Sequence, residues 1–523
     1  MKKVINTSFI YTGIVIALLT SCTKQLDLSP VSSISNGNYW TAASSFDAFA
    51  TGIHARFRSD NANFQVLGEM RSDVFGTDPG NSGAFTGEAT QGAERTWLNT
   101  MNLDNMFGQG NFSGFYYNIV QINLFISQLR NTSLLTQAKK NQYLGMAYGM
   151  RAFYYYHLLR SWGGVILQKD PVLGFDISNL AKASNTLAET ATLIKADIDS
   201  STANYGTNYA FDASNGKYFW SKAATLMLKA DVYLWTSYRG GGTTDATTAL
   251  NAVNDIQTNM PSLALVSSFA NVFATTNRAN SEIIFASRYL YNEANIGFVT
   301  GSFVPQTSLI SNFYDSLNNL KFNSNTTGNW GGLLRAPVKI STFRQFNLKD
   351  TRTFASIQPA YNFVSSKYVI AGCFVDKYQG EFQNGNRVIT NDFPIYRYAE
   401  LLLFKAEAKI ALGQDPSTEM NLVRARAYGA NYSLATFGYP NQTIDASPKD
   451  ALLQERFYEF IFEGKRWYDL VRLDPAGSYV FKYVMPASSF ANTDATGRLL
   501  WPIDRSALTN NRLLVQTSGY SSF

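Results

Sequence analysis

Cysteine is almost missing from this 523-residue chain: Cys22 and Cys373 are the only two. No disulfide framework is therefore available, and the fold must rest on packing. Histidine is equally scarce. His54 and His157 lie far apart in sequence and, with Cys373, match no metal-ligand spacing, so neither a metal nor another cofactor is expected. Charged residues make up only 16% and the net charge is +6, two of which come from Lys2 and Lys3 at the extreme N-terminus. That excess is too small and too scattered for a nucleic-acid binder. Phosphate-binding loops are absent as well. Gly240, Gly241 and Gly242 lack the Lys and Ser/Thr that would follow, and read as a hinge; Gly108 to Gly114 (GQGNFSG) misses the dinucleotide spacing by one residue and follows no strand. No Ser-His-Asp, metal or nucleophile-elbow pattern appears, which argues against common hydrolase chemistry.

What the chain has in plenty is aromatic residues, at 14% (30 Tyr, 37 Phe, 8 Trp). Most would stitch helix pairs together, but an excess of Tyr and Trp is also typical of gripping surfaces. The N-terminus is a second positive feature. Lys2 and Lys3 precede the apolar run Ile10 to Leu19, too short for a comfortable membrane span, and then Leu19-Thr20-Ser21-Cys22. Residues 1–21 thus read as a secretory signal. The final tetrapeptide resembles a bacterial lipobox, which makes Cys22 the acylated mature N-terminus and residues 22–38 a tether.

Helical spacing dominates the rest. Trp40–Arg58, Phe115–Arg130, Gln137–Trp162, Leu187–Tyr205, Tyr218–Tyr238 and Thr247–Thr258 each carry apolar residues three and four apart. His54 and His157 sit in two of these helices, where packing roles are expected. Met70 to Trp97 is rich in Gly, Ser, Thr and Asp and reads as loop, the kind of segment that carries binding groups on a rigid scaffold. Between residues 281 and 393 the helical period disappears, giving an irregular lobe with short strands that include SEIIFASRYL and Lys367–Val375. Helix returns at Tyr396–Leu412 and Glu419–Tyr428. The expected organisation is a helical part over 39–280, the irregular lobe over 281–393, and a second helical part over 394–523.

The most informative stretch is Lys449–Asp474, KDALLQERFYEFIFEGKRWYDLVRLD. On one helix, Leu453, Phe457, Phe460, Gly464, Trp467 and Val471 form an apolar stripe. Beside it Arg456, Glu459, Glu463 and Arg466 form a charged line whose members reach one another, with Asp469 and Arg472 continuing at i+3. Gly464 in its middle costs the helix about 1 kcal/mol and implies that another backbone or a large ring packs close. Glu455, Glu459 and Glu463 also invite a glycosidase reading, but neighbouring arginines would hold them ionised where a general acid needs its pKa raised.

The run from 455 to 474 closely resembles the signature of the RagB/SusD (SusD-like) outer-membrane lipoproteins. Residues 143–165, 281–285, 392–408 and 501–520 resemble four further segments of that family, in the same order. The resemblance implies a mainly α fold, with a tetratricopeptide-like helix-pair scaffold and an irregular, loop-rich lobe containing short strands. It implies a non-enzymatic protein that captures oligosaccharide or polysaccharide at the cell surface and delivers it to a SusC-like TonB-dependent transporter. The protein would be held to the bacterial outer membrane by its lipid alone and would face the exterior. Peptide or another nutrient is the alternative cargo. By similarity of chain position and by stacking chemistry, the expected contacts are Trp97, Tyr291 and Trp330, with Asp73, Asn99, Asn102 and Asn292 as hydrogen-bonding partners.

Overall fold

The computed structural model describes residues 39–83, 85, 92–105, 111–172, 181–315, 319–485 and 494–522. The signal segment, Cys22 and the tether fall outside these residues.

Helix α1 (Ala43–Ser59) buries Phe46, Ile53 and Phe57 of the stripe Phe46, Phe49, Ile53 and Phe57 that its spacing predicts, with Ala50 buried in addition and Phe49 half-buried. Trp40, expected at its start, instead rests against Phe46 and Phe49. Helices α2 (Tyr116–Asn131), α3 (Gln137–Trp162) and α4 (Leu187–Tyr205) follow. Thr136 caps α3 by accepting from the Lys139 amide, and Thr186 with Glu189 forms a reciprocal capping box on α4. Helix α5 (Lys222–Thr236) begins four residues after the predicted Tyr218, because the Ser221 hydroxyl accepts from the Ala224 amide and sets the start. A wide turn with Gly240 at φ 101° then reverses the chain into α6 (Gly242–Asn259).

Each helix packs on the next: α2 on α3, α3 on α4, α4 on α5 and α5 on α6. The stack then continues onto α8 (Tyr398–Ala411), skipping the whole lobe. Strands β1 (Ile283–Ser287) and β7 (Phe393–Arg397) explain how. They pair antiparallel, with Ile283 opposite Arg397 and Ser287 opposite Phe393, so the intervening chain leaves and returns through one two-stranded stem. Within the lobe are the short helix α7 (Gly297–Ser302), a three-stranded sheet of β2 (Tyr314–Asp315), β3 (Ile357–Val364) and β4 (Lys367–Val375), and a hairpin of β5 (Glu381–Gln383) with β6 (Asn386–Val388).

After α8 come α9 (Ser417–Tyr428), α10 (Pro448–Phe460) and α11 (Arg466–Leu473). The single helix expected over 449–474 is therefore two. Phe462 and Gly464 take φ of 70° and 73°, values that end an α-helix, and their amides donate to the two carboxylate oxygens of Glu69 at 2.6 and 2.7 Å. Glu69 lies in a π-helical turn, Val66–Met70. The close approach inferred from Gly464 is real: a Cβ there would meet the Gln65 Cα at 2.9 Å.

The charged line also pairs differently from expectation. Among the described residues, the Asp469–Arg472 contact at 3.0 Å is local to the helix, while most partners come from elsewhere. Glu459 is bound by Arg352, Arg397 and Arg426, Glu463 by Arg397 and Lys377, Arg466 by Asp73, and Arg456 by Asp469 across the break. All are buried. Burial opposes ionisation of Glu459, but Arg426, Arg397 and Arg352 outweigh it and hold the carboxyl far below the usual range. Glu463 is likewise lowered, with Arg397 and Lys377 overcoming its burial. These acids are structural anions.

Both histidines are packed. His54 stacks on Phe219 at 3.9 Å and accepts from the Trp220 amide, and burial lowers its pKa to about 4. His157 lies among Phe64, Phe153 and Arg160.

Candidate functional site

The Asn384-Gly385 dipeptide turns the β5–β6 hairpin, with φ of 52° and 79°, the conformation that two-residue hairpin loops require. Two of the expected rings, Tyr291 and Trp330, meet this hairpin. Asn384 Nδ2 donates to the Tyr291 hydroxyl at 3.3 Å, and Asn329 Nδ2 donates to the Gly385 carbonyl at 3.0 Å. Arg387, opposite Phe382 in the hairpin, spreads its guanidinium 4.1 Å from the Trp330 ring centre and 4.7 Å from that of Phe382. Its nitrogens donate to the carbonyls of Asn329, Gln379 and Thr326. Burial lowers its pKa from the ordinary guanidinium value.

The outcome is a layered shelf. Trp330, 4% exposed, is the floor and meets Phe374 edge-on at 5.5 Å. Arg387 is the plate above it. Phe382 (45% exposed) and Tyr291 (38% exposed) form the open surface, with Asn292 exposed beside Tyr291 at φ 65°. Flat rings flanked by amides suit a ligand with apolar C–H faces and a hydroxyl edge.

The remaining expected residues are elsewhere. Asp73 is buried and holds Arg466 through two bonds of 2.8 and 2.7 Å. Asn99, also buried, exchanges bonds with Arg71, whose guanidinium lies over Trp467 at 4.0 Å. Both side chains tie the first loop to the signature segment, and neither is open to ligand. Trp97 is half-buried beside Gly76, and Asn102 is exposed, its side chain accepting from the Asp104 amide. Phe382, Asn384 and Arg387 were not anticipated, although Asn-Gly at 384–385 was a readable hairpin signal.

Further along the chain, the segments that carry Tyr291 and Trp330 run on into a hollow of about 280 Å³. Ala62 and Val66 line it from the helical body, and Phe298, Phe303, Leu333 and Arg335 from the lobe. Leu333 and Ala336 hold this wall in place by donating to the carbonyls of Thr300 and Ser302, both at 2.9 Å. Among the described residues no group of three or more His, Cys, Asp or Glu is arranged to hold a metal ion, and no helix is long and apolar enough to cross a membrane.

Comparison with known proteins gives the same architecture an identity. The SusD family model matches residues 342–520, and a second model, described as starch-binding associating with outer membrane, matches 47–258. SusD-like protein P38 of Formosa agariphila is 25% identical over 99% of this chain and 100% of its own. The structure of NanU from B. fragilis superposes with a TM-score of 0.85 at 41% identity, covering 95% of this chain and 100% of that one. A SusD superfamily protein from Bacteroides vulgatus gives 0.81 at 37% identity, over 91% and 99% of the two chains. The helix-pair body, the stem-borne lobe and these similarities together place the chain in the RagB/SusD family.

Proposed function

We propose that this protein is a non-enzymatic capture lipoprotein that binds glycan on the irregular lobe and hands it to a SusC-like TonB-dependent transporter. The carrying observation is the pair of open rings, Tyr291 and Phe382, set beside Asn292 and Asn384 on a braced hairpin. Pyranose C–H faces stack on such rings while amides reach the hydroxyl edge. Trp330 supports this surface from below, and Trp97 and Asn102 stand apart from it. The starch-binding description of the model matching 47–258 supports the same cargo class and an outer-membrane address. The lipobox-like tetrapeptide ending at Cys22 supports a lipid anchor, and the exterior is the side where captured polymer would be found. Structural use of Glu455, Glu459 and Glu463, each paired with arginine, supports binding over hydrolysis.

Calorimetry with a panel of plant and host oligosaccharides tests the reading. Binding that Tyr291→Ala and Phe382→Ala weaken is expected. Failure of every glycan, with binding of peptides instead, would replace the cargo class. Release of cleaved product from labelled polysaccharide by the purified protein would end the non-enzymatic reading. Co-purification with a SusC-like transporter from native membranes tests the partner.

A further inference from the structure

The hollow between the helical body and the lobe holds a cation that has no counter-charge among the described residues. Arg335 is half-buried on its wall and makes no hydrogen bond, ion pair or ring contact with any described residue. Almost every other buried arginine of this protein is tied to carboxylates or carbonyls, as Arg352, Arg397 and Arg472 show. No Asp or Glu lines the hollow among the described residues, and much of its wall is apolar: Ala62, Val66, Phe298, Phe303 and Leu333. A charge beside such a wall is less screened than one in open water.

Two glycines give an independent indication that the space is kept open. Gly297 and Gly301 stand one turn apart on α7 and also line the hollow. A Cβ on either would meet nothing within 4 Å, and neither has a positive φ. Crowding and backbone conformation therefore do not call for glycine at these positions, where it costs a helix about 0.5–1 kcal/mol against alanine. The consequence of having no side chain there is room. At about 280 Å³ the hollow lies near the lower end of small-ligand sites, the size of a single sugar ring.

From these observations we infer that the hollow receives an acidic sugar residue, its carboxylate paired with the Arg335 guanidinium and its ring against the apolar wall. The planar fork of arginine matches a carboxylate through two parallel hydrogen bonds. This rests on the glycan-capture reading and adds a preference within it: the captured glycan is held more tightly when it carries an acidic residue for the hollow.

The test is titration calorimetry at low ionic strength with an oligosaccharide capped by glucuronic acid and the same oligosaccharide capped by glucose. The acidic cap is expected to bind at least about tenfold tighter, the worth of a charged hydrogen-bonded pair, and added salt should shrink the difference. Arg335→Gln should remove the preference and leave binding of the neutral oligosaccharide unchanged; Gly301→Leu, which fills the hollow, should remove it by a separate route. Equal affinity for both caps, a preference that survives Arg335→Gln, or tighter binding of a sulfate-capped analogue would each overturn the inference. If the neutral oligosaccharide still binds in a Tyr291-dependent way, glycan capture stands and only the acidic preference falls. If neither oligosaccharide binds, the capture reading falls, and the acidic preference, which rests on it, falls too.

Discussion

Gly68 and Gly464 meet backbone to backbone: a Cβ on Gly68 would stand 1.8 Å from the Gly464 carbonyl oxygen. The obstacle is main chain held in place by Glu69, so it has little freedom to give way. Gly68→Ala should therefore cost about 3 kcal/mol, the upper part of the range for overpacking. Urea unfolding should show the midpoint falling with the slope unchanged.

Arg397 bridges Glu282, Glu459 and Glu463 and is fully buried. Replacing it by methionine keeps most of the volume and leaves three carboxylates short of a counter-charge. A loss of about 3–5 kcal/mol is expected, against roughly 0.5 kcal/mol or less for Arg95→Met on the surface. Comparison of the two variants by thermal unfolding checks this.

Stability should depend on pH in two opposing ways. Burial raises Asp376 to about 7 and Asp60 to about 6, so the native state holds these protons more tightly than the unfolded chain. Their effect is a loss of stability as pH rises from the ordinary carboxylate range, about 4, toward those values. Glu459, Glu463 and Asp469 have the opposite sign, because neighbouring cations outweigh their burial and lower their pKa values. Their contribution is present above the ordinary carboxylate range and lost as pH falls below it. Stability should therefore collapse in strong acid, while between about pH 4 and 7 the loss from Asp376 and Asp60 is opposed by His54, whose lowered pKa adds stability as pH rises toward the ordinary histidine value. Asp376→Asn should remove that residue's share, so that melting temperature falls less, or rises more, between pH 5 and 8 than in the parent; an identical pH dependence in the two proteins would contradict the assignment.

The rings of the shelf should separate into two kinds. Tyr291→Ala and Phe382→Ala remove open surface and should each weaken glycan binding by about 1–3 kcal/mol with the melting temperature unchanged. Trp330→Ala removes the floor under Arg387 and should cost about 3–5 kcal/mol of stability. Calorimetry paired with scanning fluorimetry distinguishes the two.

Helix periods were legible wherever an apolar stripe faced one neighbour, as in α1 and α4, and the strand Lys367–Val375 was readable from its own composition. The break at 461–465 was not. Its cause is Glu69, almost 400 residues earlier in the chain, so only the tertiary fold reveals why the helix stops. The charged line misled for a similar reason: on an isolated helix, spacing implies local pairs, whereas burial brought partners from α9, β7 and the lobe. At the site, polar context marked Tyr291 correctly as open but did not show that Trp330 lies under Arg387. Composition reports that a ring stands in a loop; whether the loop folds over it depends on a hairpin more than 50 residues away.

The stem formed by β1 and β7 has a consequence for how such a protein changes over generations. Because the lobe's chain enters and exits at one point, changes of length in its outer turns leave the register of the helices undisturbed, whereas Arg352 and Lys377 on its inner side reach back to Glu459 and Glu463 and tie it to the body. The outer turns of the lobe, the Asn384-Gly385 hairpin among them, can thus vary faster than the residues that anchor it, and under the capture proposal a change of diet would be written there.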